Sequence, residues 1–279
     1  MAEVHEGRVC VLGAGGPIGS SIAGPLAERY TLRLVDHLSE AEIRDRPLMT
    51  GAPPHPHLDP PHEWVRADVT DYDSVGAAVA GCDAVINLTV NRTDTAAAFR
   101  VNPGGTWNVL RACVEHGVRR VITTGPVNVA GSSFEGDDRY EFDLAEGAPF
   151  RPGSDLYALT KHLSYEIADA FAREYDLDVM TFLVSRLRPH DAYDGRDGDV
   201  VIPFSTAWSD LASAFLAGLR APRPEHPNER FFICADLPMG KYRSDKARRL
   251  LGWESEHRFE DFTRMSGRTR LDPRKETST

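Results

Sequence analysis

The chain has 279 residues, 42 acidic and 32 basic side chains giving a net charge of −10, and 41% hydrophobic residues. That length suits one or two domains, and the composition excludes a disordered tail or a fibrous repeat. The negative charge, with no local basic run, argues against nucleic acid and anionic lipid surfaces as partners, and no stretch approaches the roughly 18 apolar residues of a membrane span.

The N-terminal MAEVHEGRVCVLG enters a strand-like run without a signal-peptide core, so a cytoplasmic protein is expected. RVCVLG and YTLRLVD are short Val- and Leu-rich runs flanking a helix-length segment, which reads as β-α-β. The alternation continues through EWVRADV, a helix over 71–80, DAVINLT, a long helix over 95–116, VRRVITTG, a helix over 155–175 and LDVMTFLVSRL. Strands without polar alternation predict burial on both faces, hence a parallel, helix-covered sheet of doubly wound α/β (Rossmann) type.

The Pro- and His-rich segment 45–63 and the Gly- and Asp-rich segment 131–155 read as excursions from the sheet. Beyond them come a helix at WSDLASAFLAGLRA, a strand RFFICAD and a short helix SDKARRLLGW. The expected organisation is a dinucleotide-binding domain over 1–190, a small substrate-binding region over 191–264 partly interleaved with the sheet, and a loose polar tail over 265–279. Cys10, Cys82, Cys113 and Cys234 are widely spaced in or beside apolar segments, so they read as buried free thiols.

Between the first strand and first helix, Gly13, Gly16 and Gly19 stand at GxxGxxG spacing, with Pro17 and Ile18 at the helix start. Glycine is needed where a tight turn lets the backbone approach a pyrophosphate, which first-turn N–H groups and the helix dipole then hold. Proline suits the first turn, where its missing N–H is not required. Asp36 closes the second strand, where a carboxylate accepts hydrogen bonds from adenosine ribose hydroxyls and repels a 2′-phosphate. No arginine or lysine follows immediately (His37 and Leu38 come next), so NAD is the expected cofactor. Asp68 and Val69 end the third strand, either meeting the adenine or serving the cap of the next helix.

Tyr157 and Lys161 place a phenol and an ammonium one helical turn apart, in a chain with only four lysines against 28 arginines. A nearby ammonium lowers the pKa of a phenol toward the range useful for proton transfer, which makes Tyr157 the acid–base candidate.

With these motifs, and with ADVTD, DAVINLT, VNPGGTWNVLRAC, WSDLASAF and SDKARRLLGW in the same order, the chain resembles the extended short-chain dehydrogenase/reductase family of NAD-dependent epimerases and dehydratases. In length and C-terminal order it is most similar to the family's uronate dehydrogenases. The resemblance implies that Asn102 orders the active-site helix, that Leu88, Thr89 and Val90 line the cofactor, and that Lys161 bonds the nicotinamide ribose. It also implies a catalytic hydroxyl at Thr124, since Thr123, one residue earlier on the strand, faces the other way. A homodimer built on the helices around 95–116 and 155–175 is implied as well, with Ala98, Phe99, Leu110, Leu163 and Ile167 as its apolar surface. The chain departs from the uronate dehydrogenases at Gly125-Pro126, where they carry Asn-His, and at Ile202, where they carry arginine.

Gly125, Pro126, Arg92, Arg188 and Arg196 are the candidate substrate contacts, with Arg186 weighed beside them. His55, His57 and His62 match no metal-ligand spacing, so no metal is expected. The resulting expectation is an NAD-dependent oxidoreductase for a secondary alcohol of a small sugar, sugar acid or cyclitol, with Tyr157, Lys161 and Thr124 as catalytic residues. Its rivals are a redox-neutral epimerase of a glycosylated or nucleotide-linked sugar and an NAD-binding regulator without catalysis.

Overall fold

The computed structural model describes residues 6–46, 51–127, 144–189, 204–226, 228–235 and 241–259. The apolar runs form β1 (Arg8–Leu12), β2 (Thr31–Asp36), β3 (Glu63–Arg66), β4 (Ala84–Asn87), β5 (Arg120–Pro126), β6 (Asp178–Val184) and, late in the chain, β9 (Asn228–Ile233). They make one seven-stranded sheet in the order β3-β2-β1-β4-β5-β6-β9, with every pairing parallel. This is the doubly wound sheet that strands buried on both faces require. The exception is the edge strand β3, whose side chains are exposed or half-buried.

Successive residues along each strand point to opposite faces, and both faces are covered. Val9, Val11, Leu32, Ile86 and Phe182 meet α1 (Pro17–Ala27) and α7 (Trp208–Arg220). Cys10, Leu12, Val35, Val85, Val121 and Val179 meet α3 (Tyr72–Val79), α5 (Gly105–His116) and α6 (Leu156–Glu174). All four cysteines are buried and unbridged. No helix among the described residues is long and apolar enough to cross a membrane.

Part of the expected 191–264 region thus joins the sheet itself: α7 packs beside α1, β9 is the seventh strand, and α8 (Asp245–Leu251) lies against the same core. The run LDVMTFLVSRL divides into β6 and a two-residue β7 (Leu187–Arg188), which pairs with β8 (Thr206–Ala207) in a separate ribbon. Asp210, 2% exposed, receives Ser255 Oγ at 2.5 Å and His257 N at 3.1 Å, fastening the chain after α8 to α7. Helix α2 (Glu40–Arg44) starts in a Ser39–Glu42 capping box.

The long helix expected over 95–116 is not uniform. It runs as α4 (Thr95–Phe99), a π-helical turn (Arg100–Gly104) and α5. Pro103 lies inside that turn, and proline has no N–H to give a regular helix and crowds the carbonyl four residues earlier, so the widened turn absorbs it. A second correction concerns the apolar surface of these helices: Ala98 and Leu110 are fully buried within the chain, whereas Phe99, Trp107 and Tyr175 are exposed.

Candidate active site

The carboxyl ends of β1, β4, β5 and β6 open onto one cleft of about 400 Å³, a volume in the range of small-molecule sites. At one end stands the glycine loop. Gly13 has φ +77°, and a Cβ there would come within 2.9 Å of the Leu88 carbonyl carbon; a Cβ at Gly19 would lie 2.2 Å from the Ala14 carbonyl oxygen. Both positions therefore demand glycine. Helix α1 starts at Pro17 after an extended Gly16, and no side chain caps its first turn. Those N–H groups and the positive end of the helix are what a pyrophosphate requires. The cradle fits a dinucleotide.

Gly13, Gly16, Pro17, Ile18, Gly19, Leu88, Val90, Arg92, Thr124, Gly125, Pro126, Tyr157, Lys161 and Arg188 all line the cleft. Thr124 faces it from the end of β5, while Thr123 is turned to Thr181, their hydroxyls 3.0 Å apart. Tyr157 and Lys161 enter from the first turns of α6, which Asp155 caps by accepting the Ala158 N–H at 2.7 Å.

Other predicted residues stand outside the lining. Asp36 is 8% exposed at the end of β2; its Oδ2 accepts the Gly15 N–H at 3.0 Å and its Oδ1 lies 2.9 Å from His37 Nδ1. Asp68 accepts the Thr70 N–H at 2.8 Å, a bond that holds its carboxyl below the ordinary range. Asp71, not Asp68, caps α3. Val69 is buried against Gly105, and its carbonyl accepts Asn108 Nδ2 at 2.9 Å. The Thr89 carbonyl accepts Lys161 Nζ at 3.1 Å. Asn102, 1% exposed in the π turn, accepts the Asn91 N–H and donates to both the Asn91 carbonyl and Thr160 Oγ1. It ties the loop after β4 to the helix that carries Tyr157. Arg196 and Ile202 lie outside the described residues.

The electrostatics differ from the simple Tyr–Lys picture. Burial pushes the Tyr157 phenol above its ordinary pKa, and the cation that opposes this is Arg92, not Lys161. Arg92 Nη2 is 3.4 Å from the Tyr157 hydroxyl, and its Cζ lies 4.5 Å from the ring centre. Burial, with Arg92 adding to it, brings Lys161 down to about 7. The ammonium is thus directed at the Thr89 carbonyl, and the expected effect of Lys161 on the phenol passes to a residue from another element.

Val127, Val184, Ser185, Arg186 and Leu187 complete the cleft. Only Arg186 stood out in the sequence; the others follow from the sheet order, which sets the end of β6 beside that of β5. His55, from the Pro- and His-rich segment, has Nε2 3.2 Å from the Gly15 carbonyl, a contact no motif announces. His62 instead accepts the Leu32 N–H at 3.1 Å, so the histidines of that segment serve separate partners.

Residues 9–205 match the model of the "NAD dependent epimerase/dehydratase family". The chain is 25% identical over 268 residues to an NAD-dependent glucose-6-phosphate dehydrogenase of Haloferax volcanii, covering 91% of this chain and 95% of that one. To a uronate dehydrogenase of Pseudomonas putida it is 26% identical over 170 residues, 60% of this chain and 59% of that one. In fold it is similar to a uronate dehydrogenase from Agrobacterium tumefaciens, with a TM-score of 0.71 at 22% identity, covering 95% of this chain and 90% of that one. With the glycine cradle and a family match over most of its length, the chain belongs to the NAD dependent epimerase/dehydratase family and is an NAD-dependent enzyme of the extended short-chain dehydrogenase/reductase type.

Proposed function

We propose that the protein oxidises a secondary alcohol of a small sugar, sugar acid or cyclitol. The observation that carries this reading is the convergence of Thr124, Tyr157 and Lys161 on one cleft with the uncapped start of α1. NAD, bound along the cleft, supplies the hydride acceptor. Tyr157 takes the alcohol proton at its phenolic oxygen, Thr124 holds the reacting oxygen through its hydroxyl, and Lys161 binds the ribose on the cofactor side. Gly13, Gly16, Ile18 and Gly19 approach the pyrophosphate, Leu88, Thr89 and Val90 pack along the cofactor, and Asp36 faces the adenosine ribose. Asp68 and Val69 border the adenine end. Asn102 orders α6.

Gly125, Pro126, Arg92 and Arg188 form the substrate end. Guanidinium groups recognise carboxylate and phosphate oxygens, which favours an acidic sugar over a neutral one. The Haloferax relative, an enzyme named for a sugar phosphate, is matched along nearly its whole length, which supports a small substrate. We further infer a cytoplasmic homodimer.

The reading is tested by incubating the enzyme with NAD and a panel of sugars, sugar acids and sugar phosphates while following NADH absorbance. Stoichiometric NADH is the expected result. Conversion of a sugar without net NADH would replace the dehydrogenase reading with an epimerase, and NAD binding without any turnover would leave a regulator.

A further inference from the structure

We propose that Arg92 is a catalytic residue in its own right: it is the cation that steadies the Tyr157 oxygen when that oxygen carries negative charge. The inference rests on reading Tyr157 as the acid–base group and adds to it a residue 65 positions away in the chain. Arg92 lies in the loop between β4 and α4. Its guanidinium covers the Tyr157 ring, Cζ 4.5 Å from the centre, and places Nη2 3.4 Å from the hydroxyl. A planar guanidinium so placed meets both the negative face of the ring and the oxygen where charge develops.

The arrangement is built, not incidental. Asn102 joins the residue before Arg92 to the helix of Tyr157: Asn91 N–H to Oδ1 at 2.9 Å, Nδ2 to the Asn91 carbonyl at 2.8 Å and Nδ2 to Thr160 Oγ1 at 2.8 Å. Asn91 Oδ1 then accepts the Thr93 and Asp94 N–H groups, and Asp94 caps α4. Both sides of Arg92 are therefore pinned. Among the described residues no ion pair joins Arg92 to a carboxylate, and its guanidinium is directed at the phenol.

Among the described residues, the charged and titratable groups around Tyr157 come from four places. Arg92 stands on the loop after β4. Asp155 immediately precedes α6, where its carboxylate is engaged at the Ala158 N–H. Lys161 and Tyr165 are on α6, and Arg186 and Arg188 stand on the cleft wall after β6. Burial and Asp155 make the phenol harder to ionise, and Arg92 works against them both as a charge and as a hydrogen-bond donor. Lys161 donates to the Thr89 carbonyl and holds its proton only to about pH 7, whereas a guanidinium stays charged throughout. Arg92 is the cation available to the phenol over the whole working range.

The test is 19F NMR of the full chain labelled with fluorotyrosine, whose more acidic phenol titrates while the protein remains folded; Tyr157→Phe assigns the resonance. Arg92→Met is expected to lower the acid dissociation constant of Tyr157 about tenfold, and Arg92→Lys, which keeps the charge, to change it by less than about threefold. Arg92 is exposed, so both variants should fold, and the other tyrosine resonances report on that. A change below about twofold in Arg92→Met overturns the proposal. An equal change in Arg92→Lys overturns it too, since that marks altered packing, not charge. The readout needs no substrate, so it stands apart from the fate of the dehydrogenase reading. With a substrate in hand, the limb of the kcat/KM profile governed by Tyr157 must move by the same amount, and a profile that stays in place refutes the role.

Discussion

The Tyr165 hydroxyl occupies the space that a side chain at Gly125 would need: a Cβ there would lie 1.3 Å from that oxygen and 2.5 Å from the ring carbon bearing it. Gly125 therefore lets α6 seat a tyrosine directly behind the strand end that carries Thr124. Tyr165 is 3% exposed, its ring is stacked 5.0 Å from Phe150, and its hydroxyl has no hydrogen-bond partner among the described residues.

This pair gives opposite outcomes for two small substitutions. Gly125→Ala forces Tyr165 out of its seat and should destabilise the protein by about 2 kcal/mol or more, as overpacking of a filled core does. Tyr165→Phe removes only an unsatisfied buried hydroxyl, so its stability should stay within about 1 kcal/mol of the parent or rise. Urea midpoints for the two variants are the check. A Tyr165→Phe protein losing as much as Gly125→Ala would mean that the hydroxyl has a partner after all.

Lys161 should lower stability in the service of the site. Its folded pKa is about 7 against 10.5 for an ordinary lysine, so between those values the unfolded chain binds the extra proton and stability rises with pH. Below about pH 7 the penalty of burying the charge is fully present. Lys161→Met is thus expected to stabilise the cofactor-free protein by about 2 kcal/mol at pH 6, with the gain shrinking from pH 7 toward 10.5, while abolishing turnover. Denaturation at pH 6 and pH 9 tests this; an equal effect at both would exclude charge burial as the cause.

Tyr157→Phe keeps the ring under Arg92 and deletes the oxygen proposed to take the alcohol proton. Turnover should fall about 10²-fold or more, with NAD binding unchanged to within a few fold. Near-parental turnover would end the assignment of Tyr157 as acid–base group.

Cofactor choice turns on Asp36. Its carboxylate is anchored to the Gly15 N–H at 3.0 Å, so it cannot swing away from a 2′-phosphate without loosening the glycine loop. NAD should bind at least about tenfold more tightly than NADP, the scale of one unfavourable charge contact. Asp36→Asn retains an acceptor for Gly15 and should narrow the gap. Calorimetric titration with both cofactors decides, and tighter NADP binding in the parent would refute the reading.

The sheet was legible because buried parallel strands leave runs such as RVCVLG and DAVINLT, and the glycine loop because Gly13 and Gly19 have no room for a Cβ. Tyr157 and Lys161 were legible because one helical turn separates them. Arg92 was legible as a candidate substrate contact but not as a neighbour of Tyr157, since that partner lies 65 residues on and is brought to it by the Asn102 bridge. The role of Gly125 was hidden for the same reason: its cause is Tyr165, a neighbour across α6 and β5 and not along the chain. The π turn was obscured because the apolar pattern of 95–116 continues through Pro103, and only the backbone reveals the widened register.

The last expectation concerns assembly. Among the described residues most large apolar side chains are buried, yet Trp107 is 49% exposed, Phe99 42% and Tyr175 46%. Trp107 stands edge-on to Phe171 at 4.8 Å, and Phe171 meets Tyr175 at 5.5 Å, so an aromatic row runs from α5 across α6. A row of this kind left to water is what a self-complementary two-fold contact buries, and tryptophan is a frequent anchor of such contacts. Light scattering at micromolar concentration should give twice the 30.8 kDa chain mass. Trp107→Arg should give a folded monomer, because the side chain is half in solvent and its loss opens no internal cavity. A parent protein scattering at 30.8 kDa would refute the dimer. A Trp107→Arg protein that remains dimeric would move the contact to another face.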